Sequence, residues 1–320
     1  MEVKKLEIDS EQYLNLLGEN PSIFNTVNWL KLFENKIELF GVFSNKNKLV
    51  ASFCFYHFKK MGITFYIQPP YCPHNLVLIA AQANHPVALR TITKSILESM
   101  AIFFEKNKNP IFEFSFPTEF SDMQPFIWKN FEVSPKYTYK LDLIKNENEL
   151  LSGLSDEVRD NLKKALKNGL RCELTHDYTT TKKLIYKTIE HQKVKTDKAL
   201  FDRILFEFAN MKNSFSFIVY DGETPVSTTF CLYDTQVCYY LAGGYDREIK
   251  ATGAGVLALW DSILEAKKLG VPIFDFEGSM IPSIEKYFRG FGGELMPMFQ
   301  IKKSSKIFKV LLSFKNFIKF

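Results

Sequence analysis

No C-x-x-C pair occurs among the five cysteines, Cys54, Cys72, Cys172, Cys231 and Cys238, and an odd count leaves at least one outside any disulfide scheme. A disulfide-stapled framework is thereby excluded, and reduced, cytoplasmic thiols fit best. No window is apolar for the length of a membrane span, and the opening MEVKKLEIDSEQ holds no apolar signal region, so a secreted or integral protein is not expected. The formal charge is only +5, which suits an anionic substrate without demanding nucleic acid. Cys72 and His74 have no third ligand type nearby and hold Pro73 between them, which reads as a shaped loop; no metal is expected.

What the sequence has in plenty is apolar bulk. It is 46% hydrophobic, with 31 Phe and 14 Tyr against 24% charged residues, the balance of a globular protein with a large core. At 320 residues it accommodates two domains. Most of the rings are expected to pack; lining an apolar groove is their other use.

The stretch from Gln236 to Gln300 carries the densest signals. Val237–Leu241 is β-branched and aromatic, a strand running into Gly243 and Gly244. The next segment sets Val256, Leu259, Trp260 and Ile263 at helical spacing, with Asp261, Ser262, Glu265 and Lys268 turned away. Gly270 then ends the helix, and Pro272–Phe276 returns as a strand, so the two strands are expected to be parallel. Ahead of the helix lies K-A-T-G-A-G, holding Lys250, Thr252, Gly253, Ala254 and Gly255. Small residues before a helix let backbone N–H groups approach an anion, and a pyrophosphate is the natural guest; the alternative is a plain turn.

Much of this pattern occurs twice. Runs at 38–44, 49–58 and 63–68 form a strand meander, followed by a helix over 86–106 and the strand Pro110–Phe114. Runs at 214–220, 226–233 and 237–241 repeat the meander, and the helix after them ends in Pro272–Phe276, nearly the same words as Pro110–Phe114. Each copy closes with an aromatic segment and another strand, 137–141 in the first and 298–302 in the second. A duplication places a boundary near 142–150 and gives domains 1–145 and 146–303, with a basic tail at 304–320. Between the copies, Ser155 caps a helix with Lys163, Lys164 and Lys167 that ends at Gly169, read as a solvated face.

With the repeat in view, the chain resembles the FemAB-like branch of the GNAT acyltransferase superfamily. The residues that carry the likeness are Ser22-Ile23-Phe24 with Trp29, Gln68-Pro69-Pro70-Tyr71, the run from Arg159 to Gly169, Asp275-Phe276-Glu277-Gly278-Ser279, and Tyr287 through Gly293. The resemblance implies an α/β fold of two tandem GNAT-like domains, each a mixed sheet flanked by helices. It implies a transferase that moves an acyl group from a thioester donor, or an aminoacyl group from charged tRNA, to an amine such as that of a peptidoglycan precursor in the cell wall. Relatives that use tRNA often insert a long coiled coil, and no sustained heptads occur here, which favours acyl-CoA and N-acetyltransferase-like chemistry over aminoacyl-tRNA.

In such a fold the strand around Tyr240 would present N–H groups to the donor carbonyl. Asp275 and Glu277, two apart on one strand, point the same way, and one can take a proton from the attacking ammonium. The alternative is that Glu277 caps the helix at Pro282 and Asp275 fixes a loop. Arg289 stands where relatives often carry Lys, a charge for an oxyanion, a phosphate or a carboxylate. Tyr240, Tyr245 and Tyr287 are candidate proton donors to the leaving thiolate, and Trp29, Tyr71, Tyr245, Ser279 and Tyr287 candidate contacts for the substrate. The donor is expected in the second domain, with the acceptor in a groove between the two; the first lacks the Gly-rich loop. The tail, KIFKVLLSFKNFIKF preceded by further lysines, suits an amphipathic helix on a membrane surface, or docking on its own domain or a partner chain. A pair of degenerate domains that only binds a membrane or cell-wall precursor is the non-enzymatic alternative.

Overall fold

The computed structural model describes residues 1–60, 62–106, 111–192, 196–278 and 280–304. Ser279, Pro110 and the tail from 305 onward, all singled out above, lie outside the described residues. The chain divides into two compact units, 1–136 with 297–320, and 137–296.

In chain order the first unit contains β1 (Glu2–Leu6), α1 (Glu11–Leu17), α2 (Val27–Lys31), β2 (Ile37–Phe43), β3 (Leu49–Lys60), β4 (Ile63–Ile67), β5 (Val77–Ile79), α3 (Pro86–Lys106), β6 (Ile111–Ser115) and α4 (Gln124–Trp128). Strand β7 (Glu132–Asp142) leads into the second unit, which holds α5 (Glu147–Gly153), α6 (Asp156–Lys167), β8 (Arg171–Thr175), α7 (Tyr178–Gln192), α8 (Lys198–Arg203), β9 (Ser214–Asp221), β10 (Thr224–Tyr233), β11 (Val237–Tyr245), α9 (Ala254–Lys268), β12 (Ile273–Asp275) and α10 (Pro282–Arg289). Strand β13 (Glu294–Ser304) returns to the first unit.

The two units share one topology. In the first, β1, β2, β3 and β4 form an antiparallel meander, β4 pairs in parallel with β6, and β6 pairs antiparallel with β13. In the second, β8, β9, β10 and β11 form the meander, β11 pairs in parallel with β12, and β12 pairs antiparallel with β7. The mixed sheets and the crossover helices α3 and α9 match the expected α/β class.

The closing strands are exchanged. Residues expected to finish each copy instead pair in the other unit: Gln300–Ser304 lie along Ile111–Ser115, and 140–142 along 273–275. This shifts the division from the expected 145/146 to 136/137 and moves 297 onward out of the second unit. A backbone ladder rewards any complementary edge within reach, so nearness in sequence does not decide the partner.

Phenylalanine builds the first core. Phe53, Phe55, Phe104 and Phe114 are buried, with ring centroids of Phe53–Phe104 and Phe55–Phe104 5.2 Å apart and edge-on. In the second unit α9 is buried nearly all round, unlike the one-sided helix expected from its spacing. Ser262, expected to face away, is buried and shares a 2.6 Å hydrogen bond with Thr229. No helix among the described residues is long and apolar enough to cross a membrane.

Candidate active site

The site begins where two strands part. On one side β11 pairs with β10 from Cys238 to Tyr245; on the other it pairs with β12 for only three residues, Val237–Tyr239 against Ile273–Asp275. Two local features open the gap. Glu277 and Gly278 both adopt left-handed backbone, at φ 57° and 66°, and turn the chain away from β11. A Cβ on Gly278 would lie 2.1 Å from the Tyr137 carbonyl oxygen, so only glycine fits. In β11, Tyr240 faces Cys231 and Ala242 faces Phe230, leaving Leu241 as an extra residue in a β-bulge. Among the described residues, the backbone groups of β11 from Tyr240 to Gly244 thus meet no strand on the β12 side. Strands that part in this way leave a slot that can hold a carbonyl.

Asp275 and Glu277 play different parts at this slot. Asp275 is buried; its Oδ1 accepts from Thr138 Oγ1 at 2.6 Å and from the Glu277 N–H at 2.8 Å, and Lys140 Nζ stands 3.9 Å from Oδ2. Its carboxylate is spoken for. Glu277 Oε1 is buried and has no hydrogen-bond partner among the described residues. Burial pushes the Glu277 carboxyl well above the ordinary glutamate range, and the charge of Asp275 and the Cys231 thiol add to the shift. The helix-cap alternative for Glu277 is not realised: Ile281 precedes α10 and no side chain caps it.

Tyr240 packs edge-on against Phe288, ring centroids 5.6 Å apart, and its hydroxyl occupies the space a Gly243 Cβ would need, 1.8 Å away. Burial raises its phenol, which stays protonated. Tyr287 donates a 2.9 Å hydrogen bond to the Gly255 carbonyl, and burial likewise raises its phenol.

The loop into α9 is anchored by Asp246, which accepts from Lys187 Nζ at 2.5 Å and from the Glu248 N–H at 3.1 Å; these bonds lower its carboxyl. Its two glycines serve different ends. Gly253 has φ 86°, and a Cβ there would sit 2.2 Å from the Asn161 carbonyl oxygen, so it lets α6 approach. Gly255 has room, with Tyr287 Oη 3.7 Å from its would-be Cβ. No side chain caps α9, Ala254 N–H is taken by Ala251 O, and Lys250 and Thr252 are exposed beside the free end. The N-terminus of α9 is therefore left without a capping side chain, an arrangement that can receive an anion.

Several expected contacts lie elsewhere. Trp29 is wholly buried, rings of Phe24 and Phe33 edge-on to it and its Nε1 donating to Cys72 Sγ at 3.3 Å, so it is core and no substrate contact. Tyr71, in the first unit, holds φ 58° in a loop. Arg289 is exposed and lies 3.2 Å from Glu285, which accepts from Tyr139 at 2.7 Å. Tyr245 is exposed beneath the Arg247 guanidinium, 5.1 Å from its ring. Sequence reasoning missed Thr138, Cys231 and Lys187, whose roles come from strand pairing and from a helix far along the chain.

The first unit has the same parting but fills it. Strands β4 and β6 pair only at Phe65–Ile111 and Tyr66–Phe112. Beyond that, buried Asn75 bridges them. Its Oδ1 accepts from the Ser115 N–H at 2.8 Å, its N–H donates to Ser115 O at 2.9 Å, and its Nδ2 reaches Ile67 O at 3.4 Å and Cys54 O at 3.3 Å. Glu113 takes the place of Asp275, held by Lys302 at 3.1 Å and by Gln300, and Ser115 takes that of Glu277.

This parted pair beside an uncapped helix has relatives. Residues 158–289 match the acetyltransferase (GNAT) domain family. Over this stretch the chain is similar to GNAT domains. FemX shares the fold over 98% of this chain and 100% of its own, with a TM-score of 0.66 and 13% identity. The tandem GNAT protein from the clavulanic acid biosynthesis pathway covers 95% and 99% at TM-score 0.56 and 11% identity. L-PGS from Bacillus licheniformis covers 96% of each at TM-score 0.54 and 9% identity. At these identities the likeness shows the fold alone, and it extends along nearly the whole chain. No curated protein matches the sequence. The GNAT domain supports acyl transfer in general, which the slot geometry fits.

Proposed function

We propose that this protein is an N-acyltransferase that takes an acyl group from a CoA-like thioester and gives it to an amine of a small molecule or a cell-wall precursor. The observation that carries the reading is the slot between β11 and β12, open in the second unit and stitched shut by Asn75 in the first. The donor's carbonyl would lie against β11 between Tyr240 and Gly244, and its pyrophosphate against the free N–H groups of α9 with Lys250 beside them. Tyr240 and Tyr287, whose phenols burial keeps protonated, would be the sources of a proton for the departing thiolate.

Calorimetry with acetyl-CoA, paired with amide hydrogen exchange, tests this. Binding should protect amides of 240–244 and 255–257, with little change around 65–75. Binding of charged tRNA that weakens steeply with salt, with no response to acetyl-CoA, would replace the reading with aminoacyl transfer.

A further inference from the structure

We infer that Glu277 is the group that takes the proton from the attacking amine, and that Asp275 positions it. This rests on the donor reading above and deepens it.

Asp275 shares a sheet face with Thr138 and Lys140, whereas Tyr139 and Leu141, alternating with them, join the core that contains Phe274, Phe276 and Cys231. Asp275 and Cys231 therefore lie on opposite faces, and Glu277 follows β12 where that strand ends, its N–H on Asp275 Oδ1 at 2.8 Å and its own φ at 57°. A residue at that turn borders the gap between the parted strands, which is the slot itself. Among the described residues nothing donates to its Oε1, although that atom is buried. An orphaned carboxyl oxygen is costly, and left-handed backbone at a non-glycine residue adds to that cost. Two such costs at one residue of a slot are what a proton acceptor awaiting its donor would impose.

Asp275 cannot do this work, because Thr138 and the Glu277 N–H fill its Oδ1 and Lys140 faces its Oδ2. It fixes the Glu277 main chain and, as a negative neighbour, makes the carboxyl a stronger base. Among the described residues, the titratable groups around the slot include Asp275 on β12, Lys140 behind it on β7, Cys231 on β10 with Cys238 beside it on β11, Tyr240 on β11 and Tyr287 on α10.

The step balances as follows. An ammonium R–NH3+ gives one proton to the Glu277 carboxylate, and the freed lone pair forms the C–N bond at the thioester carbonyl. The C–S bond breaks, the thiolate sulfur takes the second nitrogen proton through the neighbouring phenols, and Glu277 returns its proton to water. No oxidant or further reactant is needed.

The test uses the full chain and the variants Glu277→Gln and Glu277→Asp, the second keeping a carboxyl and suiting left-handed backbone. Infrared difference spectra of wild type against E277Q should show a protonated-carboxyl band that titrates above the ordinary glutamate range. Acetyl-CoA should move that midpoint. Acetyl-CoA affinity of E277Q should stay within about twofold of wild type. With acetyl-CoA and a primary amine, kcat should fall on the order of 10²-fold or more in E277Q at constant KM for acetyl-CoA, with the acidic limb of the pH profile lost, and E277D should retain part of both. Acetyl-CoA that binds without moving the band, or E277Q that keeps kcat and its acidic limb, overturns the assignment alone. No acetyl-CoA binding by the folded wild type overturns the donor reading and this inference with it.

Discussion

At the scale of single residues, the slot depends on a backbone that only glycine allows. Gly278 and Gly270 both hold positive φ, 66° and 78°, but a Cβ on Gly278 strikes the Tyr137 carbonyl while one on Gly270 meets nothing within 4 Å. Gly270→Ala should therefore cost about 1 kcal/mol, the left-handed term alone, and Gly278→Ala roughly 3 kcal/mol or more. Urea unfolding of both variants checks this; equal losses would mean that the close approach to Tyr137 is not rigid. Glu277 gives a second residue-scale expectation. Its carboxyl is raised in the fold, so the native state binds the proton more tightly than the unfolded chain. Stability is then greatest below the unfolded glutamate value and falls as pH rises from there through the folded one. Gln cannot ionise, so E277Q should gain on wild type as pH increases, and melting curves across that range that stay parallel would show the carboxyl to be solvated. Asp275 and Glu277 stand out in the sequence as acids two apart, but which one is free was not legible there. That depends on Thr138 and Lys140, more than a hundred residues upstream, and on a left-handed turn that reverses the expected alternation.

At the scale of elements, one topology gives an open gap and a closed one. Strands β11 and β12 part beside an uncapped helix, whereas β4 and β6 part around Asn75. The Asn75 side chain satisfies the Ser115 N–H and reaches the Cys54 carbonyl in the buried interior, and the half-buried Ile67 carbonyl besides. Asn75→Ala should leave that N–H without a partner and cost about 2–4 kcal/mol, with the loss confined to the first unit. Hydrogen exchange locates it: faster exchange at 63–67 and 111–115, with 237–245 unchanged, is the expected pattern, and an unchanged Ser115 amide would mean another group replaces the side chain. The elements themselves were largely readable. The helix over 86–106 and the meanders follow from periodicity and turn residues, which are local. Strands β1, β5 and β8 were not read, being short, polar or at an edge, where pairing with a neighbour supplies what the segment's own residues do not.

At the scale of the whole chain, the duplication was legible because both copies repeat the same words, but the exchange of their last strands was not, since nothing in a strand's own residues names its partner. That exchange makes the end of the sequence part of the fold's beginning. Residues 300–304 pair with 111–115, and Met298, Gln300 and Ile301 are buried there. A chain ending at 296 would leave β6 with a bare edge and strip buried apolar side chains worth roughly 2–5 kcal/mol each from the first core, more than a domain's usual margin once the lost ladder is added. The second unit draws its corresponding strand from 137–142, which the shorter chain retains. Set against a chain ending at 304, the shorter one should therefore show the first unit cut by protease within 1–136 while 137–296 persists as a resistant fragment. Limited proteolysis read by mass spectrometry distinguishes the outcomes: equal resistance of 1–136 in the two chains would mean that β6 holds its place without β13, and loss of both units together would mean that they fold only as one.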